Sequence, residues 1–310
     1  MNEQGGCDMA TQTTSPSVRP ATSLARRGLW ASKRRREQII TALSTMVVAL
    51  GLLVILFPLV WMFSTSLKTR AEVAKFPPVW IPAVPQWDNY RLALTGENRF
   101  DIYFKNTLIY AGGATLGETL SCALVAYGFA RLRAPGKNAL FVLVLSTMML
   151  PFWVTLIPQY IIFARLGWID TYLPLLVPKF FGSAYLIFLL RQFYKTLPKD
   201  YEEAALIDGA GYFGIWWRII VPLSLPAIGA VAIMSFMFHY QDFMGPLLYI
   251  NSQYNYPISI GLQQFRAPFG GTAFHLLMAA SLVTLIPPMA LFFLAQRYFI
   301  QGIVVTGVKG

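Results

Sequence analysis

From Ile39 to Leu67 the chain carries no charged side chain and is apolar almost throughout. A bilayer core of about 30 Å takes about 20 helical residues to cross, so this run is long enough to span one. Five further apolar runs follow, and together they place spans near 39–66, 104–130, 139–163, 172–193, 219–241 and 273–297. Each is longer than the about 9–11 residues of a tilted membrane strand and lacks strict alternation, so helices are expected. Charged residues make up only 13% of the chain and hydrophobic ones 56%, where soluble domains carry about 25% charged residues. Too little polar surface exists to coat a water-soluble body. The expected fold class is an all-α membrane protein with six transmembrane helices.

The formal net charge of +11 would suggest nucleic acid in a soluble protein. Here the basic residues fall in short blocks between apolar runs, as in membrane loops, and no nucleic-acid role is expected. Cys7 lies in a polar tail and Cys122 in an apolar span, so a disulfide between them is not expected. No CxxC or HExxH occurs, and His239 and His275 are far apart in sequence, which leaves no case for a metal. The first apolar run exceeds the about 7–15 residues of a cleavable signal and reads as a permanent anchor. Residues 1–38, rich in Thr, Ser, Pro and Arg, read as a disordered basic tail, and residues 39–310 as one membrane domain.

Orientation follows from Lys and Arg. With the tail inside, the inner segments hold 16 of the 25 basic residues and the outer loops seven, which puts both termini in the cytoplasm. Gly113 and Gly117 in the second span have the spacing that lets helix backbones approach closely.

The inner segment 191–218 is long enough to hold structure of its own. Asp200 followed by Glu203 has the spacing of a capping box, Glu202 and Glu203 favour the first turn, and Gly209 suits a left-handed position after the last. The result is a rod of about 12 Å, too short to cross anything. Ala204 and Ala205 leave it thin, Leu206 and Ile207 offer apolar contact, and Glu203 and Asp208 put charge at its edges. These features suit a capped surface helix as well as a docking element.

The pattern Glu203-Ala204-Ala205, then Gly209, then Ile219-x-Val221-Pro222 resembles the inner-loop signature of binding-protein-dependent ABC importer permeases. Val221 stands where that pattern usually has Leu. The longer string through Asp208, Gly209 and Ala210, with Pro222-Leu223 and Pro226 beyond it, is similar to the carbohydrate-uptake, maltose-type branch. Ser66-Leu67-Lys68-Thr69, Glu72, Pro77-Pro78, Asn89-Tyr90, Asn106 and the ending from Gln301 to Gly310 agree with that branch, so the likeness covers roughly 39–310. The resemblance implies a transport subunit that is not itself an enzyme, with a short cytoplasmic coupling helix between spans 4 and 5. Glu203, Ala204, Ala205, Asp208, Gly209, Ala210 and Pro222 would meet the ATPase. It also implies as partners a homologous second permease, two ATPase subunits and an extracytoplasmic solute-binding protein. ATP and Mg would be bound by the partner ATPase, with no cofactor in this chain. Gly136-Lys137 is followed by Asn138 and lacks the first Gly of a phosphate-binding loop.

Ionisable groups at membrane depth point to function by default. Glu118, mid-span, could face a polar path, be protonated, or pair with Lys179 of span 4. An ion-gradient-driven secondary transporter using Glu118 is the alternative reading. His239, Gln241 and Asp242 gather at the outer end of span 5, where they could line a path or cap the helix. A sugar path needs hydrogen-bonding groups and flat apolar faces, which Trp153, Gln159, Tyr160 and Tyr185 could supply.

Overall fold

The computed structural model describes residues 33–96, 99–266 and 272–307, with side chains from 36 to 296 among them. All regular structure among these residues is helical. Most of the expected basic tail and the terminal Lys309-Gly310 lie outside the described residues. The chain divides into two units, 1–57 and 58–310. The border falls inside helix α1 (Lys33–Ser66), which takes in the last positions assigned to the tail. In the first unit, the apolar side chains of α1 from Ile39 to Phe57 are exposed; Val54 is 73% exposed. A helix that is apolar all round needs an apolar surround, and lipid supplies it.

In the second unit, the end of α1 is followed by two short helices, α2 (Arg70–Ala74) and α3 (Asp88–Thr95). Thr69 and Glu72 form a capping box: Thr69 Oγ1 accepts from the Glu72 N–H at 3.2 Å and Glu72 Oε2 from the Thr69 N–H at 2.9 Å. Asn89 Nδ2 donates to the carbonyls of Ser66 and Lys68 at 2.8 and 2.9 Å. Lys68, buried, sits over the Trp61 ring at 4.1 Å. Ser66, Lys68, Thr69, Glu72 and Asn89 thus form one joint that folds this segment against the end of the first span.

The centre of the unit is α4 (Phe100–Arg131). Its residues enter three buried clusters, with Tyr103 and Ala111 in one, Tyr110 and Ala114 in another, and Cys122, Ala126 and Tyr127 in the third. A Cβ on Gly113 would meet Leu176 at 3.1 Å, and one on Gly117 would meet the Phe180 ring at 2.6 Å. These glycines therefore admit the next helical stretch at close range, as their spacing suggests.

Among the described residues, four helices are long and apolar enough to cross a membrane: Arg36–Ser66, Phe100–Arg131, Leu173–Thr196 and Phe274–Gln296. The third joins α7 (Leu173–Leu176), a 3-10 turn and α8 (Ala184–Thr196), and the fourth lies in α15 (Phe274–Gly307). The helices at the expected spans 139–163 and 219–241 are each broken into two halves set at an angle. The first is α5 (Lys137–Ser146) with its 3-10 end, set at 97° to α6 (Phe152–Arg165). Pro151 forces Leu150 out of the helical region, to φ −76°, ψ 115°, and ends the first half there. The second runs from α10 (Tyr212–Ile215) through a π turn and α11 (Val221–Leu223), then turns by 82° into α12 (Leu225–Tyr240). Pro226 has no N–H for the ladder and crowds the preceding turn, so Ser224 opens to φ −107°, ψ 11°. Between these halves lies α9 (Asp200–Ile207). The remaining short helices are α13 (Met244–Tyr249) and α14 (Ile258–Gly261).

Asp170 latches the loop after α6 to the loop after α13. Its carboxylate accepts from the N–H groups of Asn251 and Ser252 at 2.9 and 2.7 Å and from the Ser252 hydroxyl. Its own N–H donates to the Tyr249 carbonyl at 2.7 Å. These donors hold the Asp170 carboxyl down at about 2, against an ordinary 3.8. An acid lowered on folding stabilises the fold above its ordinary value and loses that contribution as pH falls through the lowered one. The latch should therefore hold unchanged from neutral pH to about 4. Asp170→Asn should lower the melting temperature at pH 7 by about 2–4 °C, the shift that about 1 kcal/mol produces in a chain of this size. A melting temperature equal to the wild type's would show the latch to be idle.

Candidate translocation path and docking helix

Two cavities meet in the second unit. One, of about 490 Å3, is lined by Tyr110, Gln159, Lys179, Asp242 and Tyr249 among others. The other, of about 560 Å3, is lined by Glu118, Lys179, Ser183, Tyr185 and Ser235 among others. Pro178, Lys179 and Phe238 belong to both walls. The Lys179 ammonium sits 5.8 Å from the Phe238 ring, so a cation and an aromatic face divide one cavity from the other.

The polar groups at this depth are held in place. Glu118 Oε2 accepts from the Ser235 hydroxyl at 2.5 Å and lies 3.0 Å from His239 Nε2, all three being buried. Asp242 accepts from the Tyr110 hydroxyl at 2.6 Å on one oxygen and from the Gly245 N–H at 3.0 Å on the other. Glu118 is therefore held by α12, with Lys179 on the wall of the same cavity. His239 is likewise an interior residue, turned from the helix end toward Glu118. Carboxylates with part of their accepting capacity already used, beside an amide, an ammonium and aromatic rings, suit a ligand with many hydroxyls and drier faces.

Gln159 and Asp242 line the first cavity, and Glu118 and Tyr185 the second. Tyr160 instead stacks on Tyr249, with ring centroids 6.2 Å apart. Trp153 is 66% exposed and meets Phe152 edge-on. Lys179 stood out in sequence only as a charge within a span, and Tyr110 and Ser235, which hold the carboxylates, had no distinguishing signal, since which face of a helix meets a cavity depends on its neighbours.

At the other site, α9 has the expected length and C-terminal end, but its start differs. Asp200 is the first helical residue, not the cap; Lys199 precedes it in helical conformation and no side chain caps the turn. The Lys199 carbonyl instead accepts from Glu202 and Glu203 N–H groups at 2.9 and 3.0 Å. Asp200, Glu202 and Glu203 still place negative charge where the helix dipole favours it. Gly209 takes φ +83°, its N–H donates to Leu206 at 3.0 Å, and the Ala210 N–H donates to Ala205 at 2.9 Å. This paired closure is a Schellman motif. Ala205 is buried, while Ala204, Leu206, Ile207 and Asp208 are exposed, Ile207 at 88%. Glu203 is exposed too, and Pro222 lies in α11 just before the bend at Ser224.

Two residues in this region carry more than their sequence positions suggested. Arg131, the last residue of α4, places its Nε 3.0 Å from Glu202 Oε1 and donates from Nη2 to the Leu197 carbonyl at 2.6 Å. Burial pushes the Glu202 carboxyl upward, with Arg131 and Lys199 opposing. A basic residue after an apolar span reads in sequence only as a loop anchor, which is why this pairing was not visible there.

Residues 119–305 match the family described as binding-protein-dependent transport system inner membrane component. The chain belongs to that family. As a member of it, this inner membrane component is a transport subunit and not an enzyme. The arabinooligosaccharides transport system permease of Bacillus subtilis is 32% identical over 263 residues, covering 83% of this component and 92% of the relative. The sn-glycerol-3-phosphate transport system permease of Yersinia enterocolitica is 33% identical over 261 residues, covering 82% and 92%. A solved bacterial ABC transporter involved in the import of the acidic polysaccharide alginate contains a chain of the same fold. It has a TM-score of 0.76 at 20% identity, over 86% of this component and 98% of that chain.

Proposed function

We propose that this chain forms half of the membrane path of an ATP-driven importer for a sugar or sugar-like solute. A homologous second permease completes the path, an extracytoplasmic binding protein delivers the solute, and two copies of a separate ATPase drive the cycle. Both termini lie in the cytoplasm, and the bent pairs count as two of six spans. The ATPase docks on α9 through Glu203, Ala204, Ala205, Asp208, Gly209 and Ala210, with Pro222 stiffening the helix that follows.

The observation that carries this reading is α9 itself, a rod of two turns closed by Gly209, with exposed apolar and acidic side chains on a thin alanine centre. A closed rod conveys a rigid-body displacement that an open loop would absorb. The polyol-compatible cavities support the substrate class, as do the sugar and glycerol phosphate named for the relatives. The purified chain alone should hydrolyse no ATP. Reconstituted with the ATPase, second permease and binding protein of its system, it should accumulate the solute only when ATP is supplied. Accumulation by the lone chain on an ion gradient would refute the proposal.

A further inference from the structure

The fastening of α9 to the rest of the unit rests on few groups. Ala205 packs into the cluster that contains Tyr127, Leu190, Tyr194 and Trp216, but an alanine offers little grip. The polar attachment is Arg131. Its side chain is only 3% exposed and that of Glu202 only 14%. By contrast, the pairs Arg91–Asp88 and Arg99–Asp101 are exposed and join residues within three positions of each other. One guanidinium holds the chain ahead of α9 at the Leu197 carbonyl and the first turn of α9 at Glu202. A planar fork reaches the two from separate nitrogens, Nε and Nη2, whereas an ammonium would have to reach both from one.

The position of Arg131 gives this fastening a direction. Arg131 ends α4, and Glu118 lies 13 residues earlier on the same helix, about 20 Å along its axis. Tyr110, which holds Asp242 in the other cavity, lies two turns further on. α4 shows no break between these points. Displacing the first turn of α9 must therefore pull on the end of the helix that lines both cavities.

We propose that Arg131 is the joint that passes movement of α9 to α4 and so to the solute path, with Glu202 as its partner. This rests on the reading of α9 as the ATPase-docking helix. Arg131 is a positioning residue and touches neither solute nor nucleotide. Glu203 and its exposed neighbours face the motor, while Glu202, one position earlier, faces inward and holds the load. A buried ion pair is weak evidence for a stabilising role, so stability alone gives little reason for one here.

The test is the number of solute molecules accumulated per ATP hydrolysed, measured in proteoliposomes holding the whole transporter. Arg131→Met should keep ATP hydrolysis and lower that ratio by about tenfold, within the range of ordinary coupling energies. Glu202→Arg alone should lower it similarly, and the exchange Arg131→Glu with Glu202→Arg should recover most of it. If Arg131→Met does not assemble, Arg131→Lys, which must reach both partners from a single nitrogen, should lower the ratio by about fivefold. An assembled Arg131 variant with the wild-type ratio overturns the joint, as does an exchange that assembles yet recovers nothing. A wild-type complex without ATP-dependent uptake would instead refute the docking reading.

Discussion

In a transporter assembled with Gly209→Pro, uptake should fall by about 10–100-fold, a loss of the size typical of broken coupling between sites. Gly209 has φ +83°, and proline is locked near φ −65°. Proline also lacks the N–H that Gly209 donates to Leu206, so the end of α9 would open and its last carbonyls would lose their partners. Nothing stands within 4 Å of a Cβ at this position, so the effect comes from backbone conformation and not from a clash. Gly209→Ala is the control: alanine can adopt the left-handed region at a cost of about 1–2 kcal/mol and keeps the N–H. It should transport nearly normally. Uptake and ATP hydrolysis measured on the same vesicles separate a failed docking helix from a failed motor. If the proline variant matches the wild type in both, α9 is not the docking helix.

Glu118→Ala should produce the largest loss of stability. The carboxylate accepts from Ser235 and stands against His239 Nε2, and all three side chains are buried. Removing it strands the Ser235 hydroxyl and the His239 ring nitrogen at about 1–3 kcal/mol each and leaves a void besides. At about 2–4 °C per kcal/mol in a chain of this size, the melting temperature in detergent should drop on the order of 10 °C. Glu118→Gln should be far milder, because its carbonyl can still accept from Ser235. The same variant separates the two transport classes. An ATP-driven importer should retain uptake with glutamine there, whereas a carrier that moves protons or cations through Glu118 should lose it entirely. A melting temperature unchanged in Glu118→Ala would show that the buried cluster contributes nothing.

The features legible along the chain share a short range. The spans are visible because crossing lipid requires a minimum apolar length, and the closure of α9 because only glycine takes φ +83° without strain. Gly113 and Gly117 are visible for a similar reason, since absent side chains mark where another helix comes close. The two bends were not read from the sequence: Pro151 and Pro226 stand at them, yet Pro58 and Pro158 lie inside helices that run on, so a proline alone does not say whether or where the chain turns. Asp200 missed its expected place by one position, the usual uncertainty at a helix end, where the cap depends on how the preceding residue is held.

Composition and local pattern were thus sufficient for a helical membrane subunit, the approximate places of its apolar helices and the position and closure of α9. Folding chose the partners: Glu118 with Ser235 and His239, Asp242 with Tyr110, Arg131 with Glu202, and Asp170 with the loop after α13. Each pair unites segments far apart in the chain. Whether two such side chains meet depends on the depth, rotation and tilt of separate helices, and those are settled by packing among all of them at once.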